Sequence, residues 1–92
     1  MADPLPPRTW ATSAEVAAAG RITTVTAQDW ARRGVLPAYQ RIHGGARGQS
    51  ARWPLYAPAQ AAWVRARLDA GFTFAEIAEM LERGEFSPPS VG

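Results

Sequence analysis

Hydrophobic residues recur with helical spacing in four parts of the chain, and each part is bracketed by polar caps or glycines. In "TSAEVAAAG", Thr12 and Glu15 form a Thr-x-x-Glu capping box, in which the hydroxyl takes an orphan backbone N–H and the carboxylate reaches back to the cap. Val16 and the neighbouring alanines face inward, and Gly20 supplies a left-handed stop. In "RITTVTAQDWARRG", Thr23 is the expected N-cap, with Thr26 and Asp29 as an alternative start, and the helix runs to Arg33 with Gly34 as its stop. Ala27, Trp30 and Ala31 form the inward stripe, whereas Thr24, Gln28 and Arg32 repeat every four residues on a polar face. In "APAQAAWVRARLDAG", Pro58 suits a first helical turn, Ala61, Val64 and Leu68 share a face, and Gly71 ends the run. "TFAEIAEMLERG" has a second capping box, Thr73 with Glu76, an inward set of Phe74, Ile77 and Leu81, and a stop at Gly84.

The joins between these parts indicate how they are arranged. The first two helices are separated by about three residues, as in a helix-turn-helix, and the last two by a tight turn, as in an antiparallel helical hairpin. Between the pairs, "VLPAYQRI" reads as extended because Pro37 breaks a helix while Tyr39 and Ile42 favour strand. "ARWPLY" is its expected antiparallel partner, with Pro54 confining it to an edge or a bulge and the glycine-rich segment between them as the loop. By alternation, Arg52 and Tyr56 fall on one face of that strand. The expected fold is therefore mainly α, a winged helix-turn-helix of about four helices with a two-stranded β wing. Residues 1–11 form a mobile Pro-rich arm, 12–84 the domain and 85–92 a flexible tail. The aromatics Trp30, Trp53, Trp63, Tyr56, Phe72 and Phe74 are assigned to the core, with Trp10 stapling the arm to the first helix.

Composition narrows the possibilities. A chain of 92 residues suits one domain with a thin core, and its 47% hydrophobic content is too high for a disordered chain. There is no cysteine, hence no disulfide framework, and no apolar run long enough to span a membrane. The start "MADPLPPRTW" has no apolar region of the signal-peptide type, so a cytoplasmic, nucleoid-associated location is expected. No nucleophile–base pair, phosphate loop or metal constellation is evident, so neither an enzyme nor a cofactor is expected. The single histidine, His43, is expected to be an exposed loop residue.

Charge then points to a partner. Between residues 21 and 67, eight arginines face one acid, Asp29, whereas from residue 68 onward five acids face only Arg83. A basic centre beside an acidic end favours a polyanion at the centre. All the basic residues are arginine, whose fork suits phosphates and guanine edges. Arg65 and Arg67 can either brace phosphates or pair with Asp69 and the glutamates of the fourth helix.

From about Thr12 to Leu81 the chain resembles the MerR-like winged helix-turn-helix superfamily, which includes phage excisionases and some phage terminase small subunits. The resemblance rests on "SAEVAAAG", on "ITTVTAQDWARRGVLP" with its Gly-Val-Leu-Pro exit, on the Tyr of "WPLY" before a helix, and on "LDAGFTFAEIAEML". It implies a sequence-specific double-stranded DNA-binding protein whose second helix enters the major groove. The candidate contacts read from the residues themselves are Thr23, Thr24, Gln28, Arg32 and Arg33 on that helix, and Arg41, Arg47 and Arg52 on the wing. The chain departs from MerR-type regulators at Val25, Gln28 and Asp29, where they usually carry Arg and aromatic residues, and at Pro54, where they usually carry Arg. It resembles their DNA-binding head alone, which implies a monomer or side-by-side assembly on repeated sites. A small transcriptional regulator is the leading expectation. The alternatives are an excisionase-like or packaging role with the same fold, and a protein-interaction adaptor using the acidic fourth helix.

Overall fold

The caps expected from the sequence bound the helices of the computed structural model, which describes residues 9–42 and 50–88. The elements run α1 (Ser13–Gly20), α2 (Thr24–Arg32), β1 (Gln40–Ile42), β2 (Ser50–Arg52), α3 (Ala57–Asp69) and α4 (Phe74–Glu82). At α1, the Thr12 hydroxyl accepts from the Glu15 N–H at 3.1 Å, and the Glu15 carboxylate accepts from the Thr12 N–H at 2.9 Å. Thr73 and Glu76 repeat this at α4. At α2 the cap is Thr23, not the alternative Thr26. Its hydroxyl accepts from the Thr26 N–H at 3.1 Å and donates to the Thr26 hydroxyl at 3.0 Å. α3 has no side-chain cap; Pro58 lies in its first turn, and the Ala57 N–H donates to the Pro54 carbonyl at 2.9 Å.

The capping box at α4 has a pH signature. The Thr73 backbone N–H, and then its hydroxyl, hold the Glu76 carboxyl below its ordinary value of 4.5. A carboxyl depressed in the folded state adds stability at higher pH, and that stability is lost as pH falls through the lowered value. Glu76→Gln keeps an acceptor oxygen but cannot titrate. Thermal unfolding followed from pH 6 to pH 3 is expected to show a smaller drop for Glu76→Gln than for the unmodified protein below about pH 4.5, and parallel curves above it.

Gly34, Gly71 and Gly84 end α2, α3 and α4 with φ of 83°, 100° and 76°. The residue after each glycine donates back into the last turn: Val35 to Trp30 at 3.1 Å, Phe72 to Arg67 at 3.1 Å, and Glu85 to Met80 at 3.0 Å. These are Schellman closures. α1 differs from expectation. Gly20 is its last helical residue, and the left-handed position falls on Arg21, with φ 56°. The reason is space. A Cβ at Gly20 would lie 3.3 Å from the Trp30 ring and 3.4 Å from both the Ala61 Cβ and Ile22 Cδ1. The close approach of α1 to α2 and α3 leaves little room for a side chain at Gly20, and the turn conformation passes to its neighbour.

The core joins all four helices and the base of the wing. Val16, Ala27, Trp30, Val35, Leu36, Trp53, Ala57, Ala61, Val64 and Ile77 are buried in one cluster. α1 packs on both α3 and α2. Trp63, Leu68, Phe74 and Leu81 are half-buried against the cluster, as their spacing indicated, and Met80 is also buried. Phe72, assigned to the core from the sequence, is exposed instead, because it lies in the α3–α4 turn.

The wing is shorter than the extended segments suggested. β1 and β2 pair antiparallel over three residues each, with Gln40 opposite Arg52 and Arg41 opposite Ala51. Val35 and Leu36 do not join the ribbon. They enter the core, where the buried Gln60 amide donates to the Val35 carbonyl at 2.9 Å. Beyond β2, Trp53 pairs with Ala11, each donating its N–H to the other's carbonyl at 2.9 and 2.8 Å. The last residue of the Pro-rich arm is thus built into the fold. Tyr56 stands at the start of α3, so the strand-face relation between Arg52 and Tyr56 does not arise. His43 and Arg47, like the glycines of the loop, lie outside the described residues.

Candidate nucleic-acid interface

The wing is anchored by an aromatic stack. Tyr39 and Trp53 lie with ring centroids 4.4 Å apart and 26° between planes. The Trp53 indole N–H donates to the Ser13 hydroxyl at 2.9 Å, tying the ribbon base to the start of α1. Neighbouring residues of a strand point to opposite faces. Tyr39, Arg41 and Ala51 therefore share one face of the ribbon, whereas Gln40 and Arg52 take the other.

The Arg41 face opens onto α2. Thr24 and Gln28, together with Trp10, Tyr39 and Arg41, line a cleft of about 450 Å³. Gln28, Tyr39 and Arg41 also line an adjoining cleft of about 440 Å³, which Arg32 completes. The two form one channel between helix and ribbon. Arg41 reaches back over the Tyr39 ring at 5.8 Å and donates to the Tyr39 hydroxyl at 3.3 Å, which aims the guanidinium. Thr24 and Arg32 are exposed on the same helix, and Gln28 is half-buried between them.

The other residues expected at this site are placed differently. The Thr23 hydroxyl is committed to the cap of α2. Arg33 lies on the α4 side of α2, with its Nε 2.7 Å from Asp29 Oδ2 and its guanidinium 4.7 Å above the Phe74 ring. Arg52 projects from the far face of the ribbon, 5.1 Å over the Trp10 ring, and lines a separate cleft with Gln40 and Pro54. Trp10 borders both this cleft and the main channel. Asp29, the one acid of the basic segment, is held below its ordinary pKa, chiefly by the hydrogen bond from Arg33 and further by the charges of Arg33 and Arg32.

Compared with known proteins, the chain matches no family model, no curated protein and no solved structure. The channel is therefore interpreted from its own chemistry. It mixes polar side chains with aromatic and alanine surface, carries Arg32 and Arg41 in its lining, and is bounded by a helix face and a narrow ribbon. Among the described residues, no group of three or more His, Asp or Glu side chains could hold a metal ion. Among the same residues, no helix is long and apolar enough to cross a membrane.

Behind the channel, the helix-turn-helix corner is clamped by α3. Arg65 Nε donates to the Gly20 carbonyl at 2.9 Å, its guanidinium lies 5.5 Å from the Trp30 ring centre, and its Nη1 is 3.4 Å from Asp69. Asp69 also accepts from Arg21 at 2.7 Å. Of the two roles open to Arg65, pairing with Asp69 is the one observed. Its bond to Gly20 had no sequence signal, because the partner is a backbone carbonyl 45 residues away. Arg67 lies over Trp63 at 5.8 Å, and its Nε is buried without a hydrogen-bond partner. Tyr39 and Trp10 are channel residues that sequence reasoning missed; the alternation of Tyr39 with Arg41 was the available clue.

Proposed function

We propose that this protein binds double-stranded DNA sequence-specifically as a small, non-enzymatic transcriptional regulator in the cytoplasm, with α2 in the major groove and the ribbon against the flanking backbone or minor groove. The observation that carries this reading is the single channel edge shared by Thr24, Gln28 and Arg32 of α2 and Arg41 of the ribbon. A helix fits the major groove, where Gln pairs bidentately with adenine and Arg with guanine. A ribbon arginine beside it grips phosphate and fixes register. The resemblance of the chain to MerR-like winged helix-turn-helix domains supports the same reading.

The two kinds of contact predict different losses. Arg41→Ala is expected to weaken binding about equally on all duplexes and to reduce the salt slope by about one. Gln28→Ala and Arg32→Ala are expected to cost about 1–3 kcal/mol and to relax preference at particular base pairs. Arg52→Ala, on the other ribbon face, is expected to cost less than Arg41→Ala. Titration of each variant on a selected and a scrambled duplex at several salt concentrations measures all four. Unchanged affinity for the Gln28, Arg32 and Arg41 variants would sink the proposal. Cooperative assembly on direct repeats would move the role toward an excisionase, and a ring engaging a motor subunit toward packaging. Failure to retard any duplex at low salt would favour an adaptor role for the acidic α4.

A further inference from the structure

Val25 is 71% exposed, against 43% for Leu55 and 37% for Phe72, the other exposed large hydrophobics among the described residues. It is the second residue of α2, beside Thr24 and one turn before Gln28 and Asp29. Nothing in the fold requires an aliphatic there, since α2 packs inward through Ala27, Trp30 and Ala31. A β-branched side chain facing water loses rotamer freedom in a helix and offers nothing to the cap. A straight polar residue would suit the helix better.

The surroundings of Val25 restrict its partner. Its neighbours on α2 are Thr24, Gln28 and Asp29, and the Asp29 carboxylate is already engaged by Arg33. Val25 is thus a single apolar knob among polar side chains. A protein groove or a lipid surface would call for a contiguous apolar patch, and α2 exposes no other large hydrophobic. The matching surface must be polar, with isolated apolar groups. In the major groove of a duplex the apolar group is the C5-methyl of thymine.

Resting on the DNA-binding reading, we infer that Val25 is a specificity-determining residue that takes a pyrimidine C5-methyl group in the major groove. The contact is between the two Val25 Cγ methyls and the C5-methyl carbon, and it removes apolar surface from water on both sides.

The test uses the full chain and a duplex selected from a random pool. Each thymine is replaced in turn by deoxyuridine, which removes the methyl and leaves every hydrogen-bonding group in place. One replacement is expected to weaken binding about four-fold, the value of one buried methyl. Val25→Ala is expected to bind the thymine and uracil duplexes alike, and Val25→Thr, which keeps one Cγ methyl, to retain part of the difference. Both variants alter an exposed side chain, and their thermal unfolding is expected to match that of the unmodified protein. A selected site without thymine, indifference to every replacement, or equal sensitivity in Val25→Ala overturns the inference while leaving DNA binding intact. If no duplex is retained, both the inference and the DNA-binding reading fall.

Discussion

Trp53→Ala is expected to cost about 3–5 kcal/mol of stability, the range for deleting a buried large aromatic. Trp53 is 1% exposed and joins three parts of the molecule. Its ring stacks on Tyr39, its indole N–H donates to Ser13, and its backbone pairs with Ala11. Deleting the ring leaves a cavity at the point where the ribbon meets α1, and the Ser13 hydroxyl loses its donor. A domain of this size shifts by roughly 4–8 °C per kcal/mol, so the unfolding midpoint is expected to fall by roughly 12–40 °C. Trp53→Phe keeps most of the stack but not the N–H, and is expected to lose only about 1–3 kcal/mol. Thermal and urea unfolding of the two variants give the comparison. A loss below about 1 kcal/mol for Trp53→Ala would mean that the ribbon is anchored elsewhere.

Gly20→Val is expected to cost about 2–3 kcal/mol through overpacking. Its Cβ alone would stand 3.3–3.4 Å from Trp30, Ala61 and Ile22. Two further methyls add to a contact that is already tight against Trp30 of α2 and Ala61 of α3. Gly20→Ala makes an informative control. The gain of up to about 1 kcal/mol from replacing a helical glycine is set against a contact in which the neighbours must give by a few tenths of an ångström. The alanine variant is therefore expected to lie close to the unmodified protein, and the valine variant well below it. A valine variant that unfolds at the unmodified temperature would show that the α1–α2 corner yields readily, and that Gly20 is not what sets its geometry.

The two variants separate local information from packing information. Thr12, Thr23 and Thr73 could be read as caps because a cap needs only a side-chain oxygen and the three residues that follow it. Gly34, Gly71 and Gly84 could be read as stops because a left-handed closure involves only the last turn. Gly20 has the same local appearance and a different cause, and only the positions of Trp30 and Ala61 reveal it. Arg33 looks as free as Arg32 in sequence, yet Asp29 and Phe74 draw it to the α4 side. Arg41 and Arg52 appear equivalent until the register places Gln40 opposite Arg52 and so assigns the two arginines to opposite faces.

By itself, the sequence determined the number and type of the helices and most of their limits, the presence of a wing between two helical pairs, and the concentration of positive charge at the centre of the chain. These follow from periodicity, capping and composition, which act over one or two turns. The tertiary structure decided which cations share an edge with α2, why only a small residue fits at Gly20, and how Ala11 and Trp53 close the base of the ribbon. Those outcomes depend on contacts between residues tens of positions apart, whose distances are set only when the helices pack.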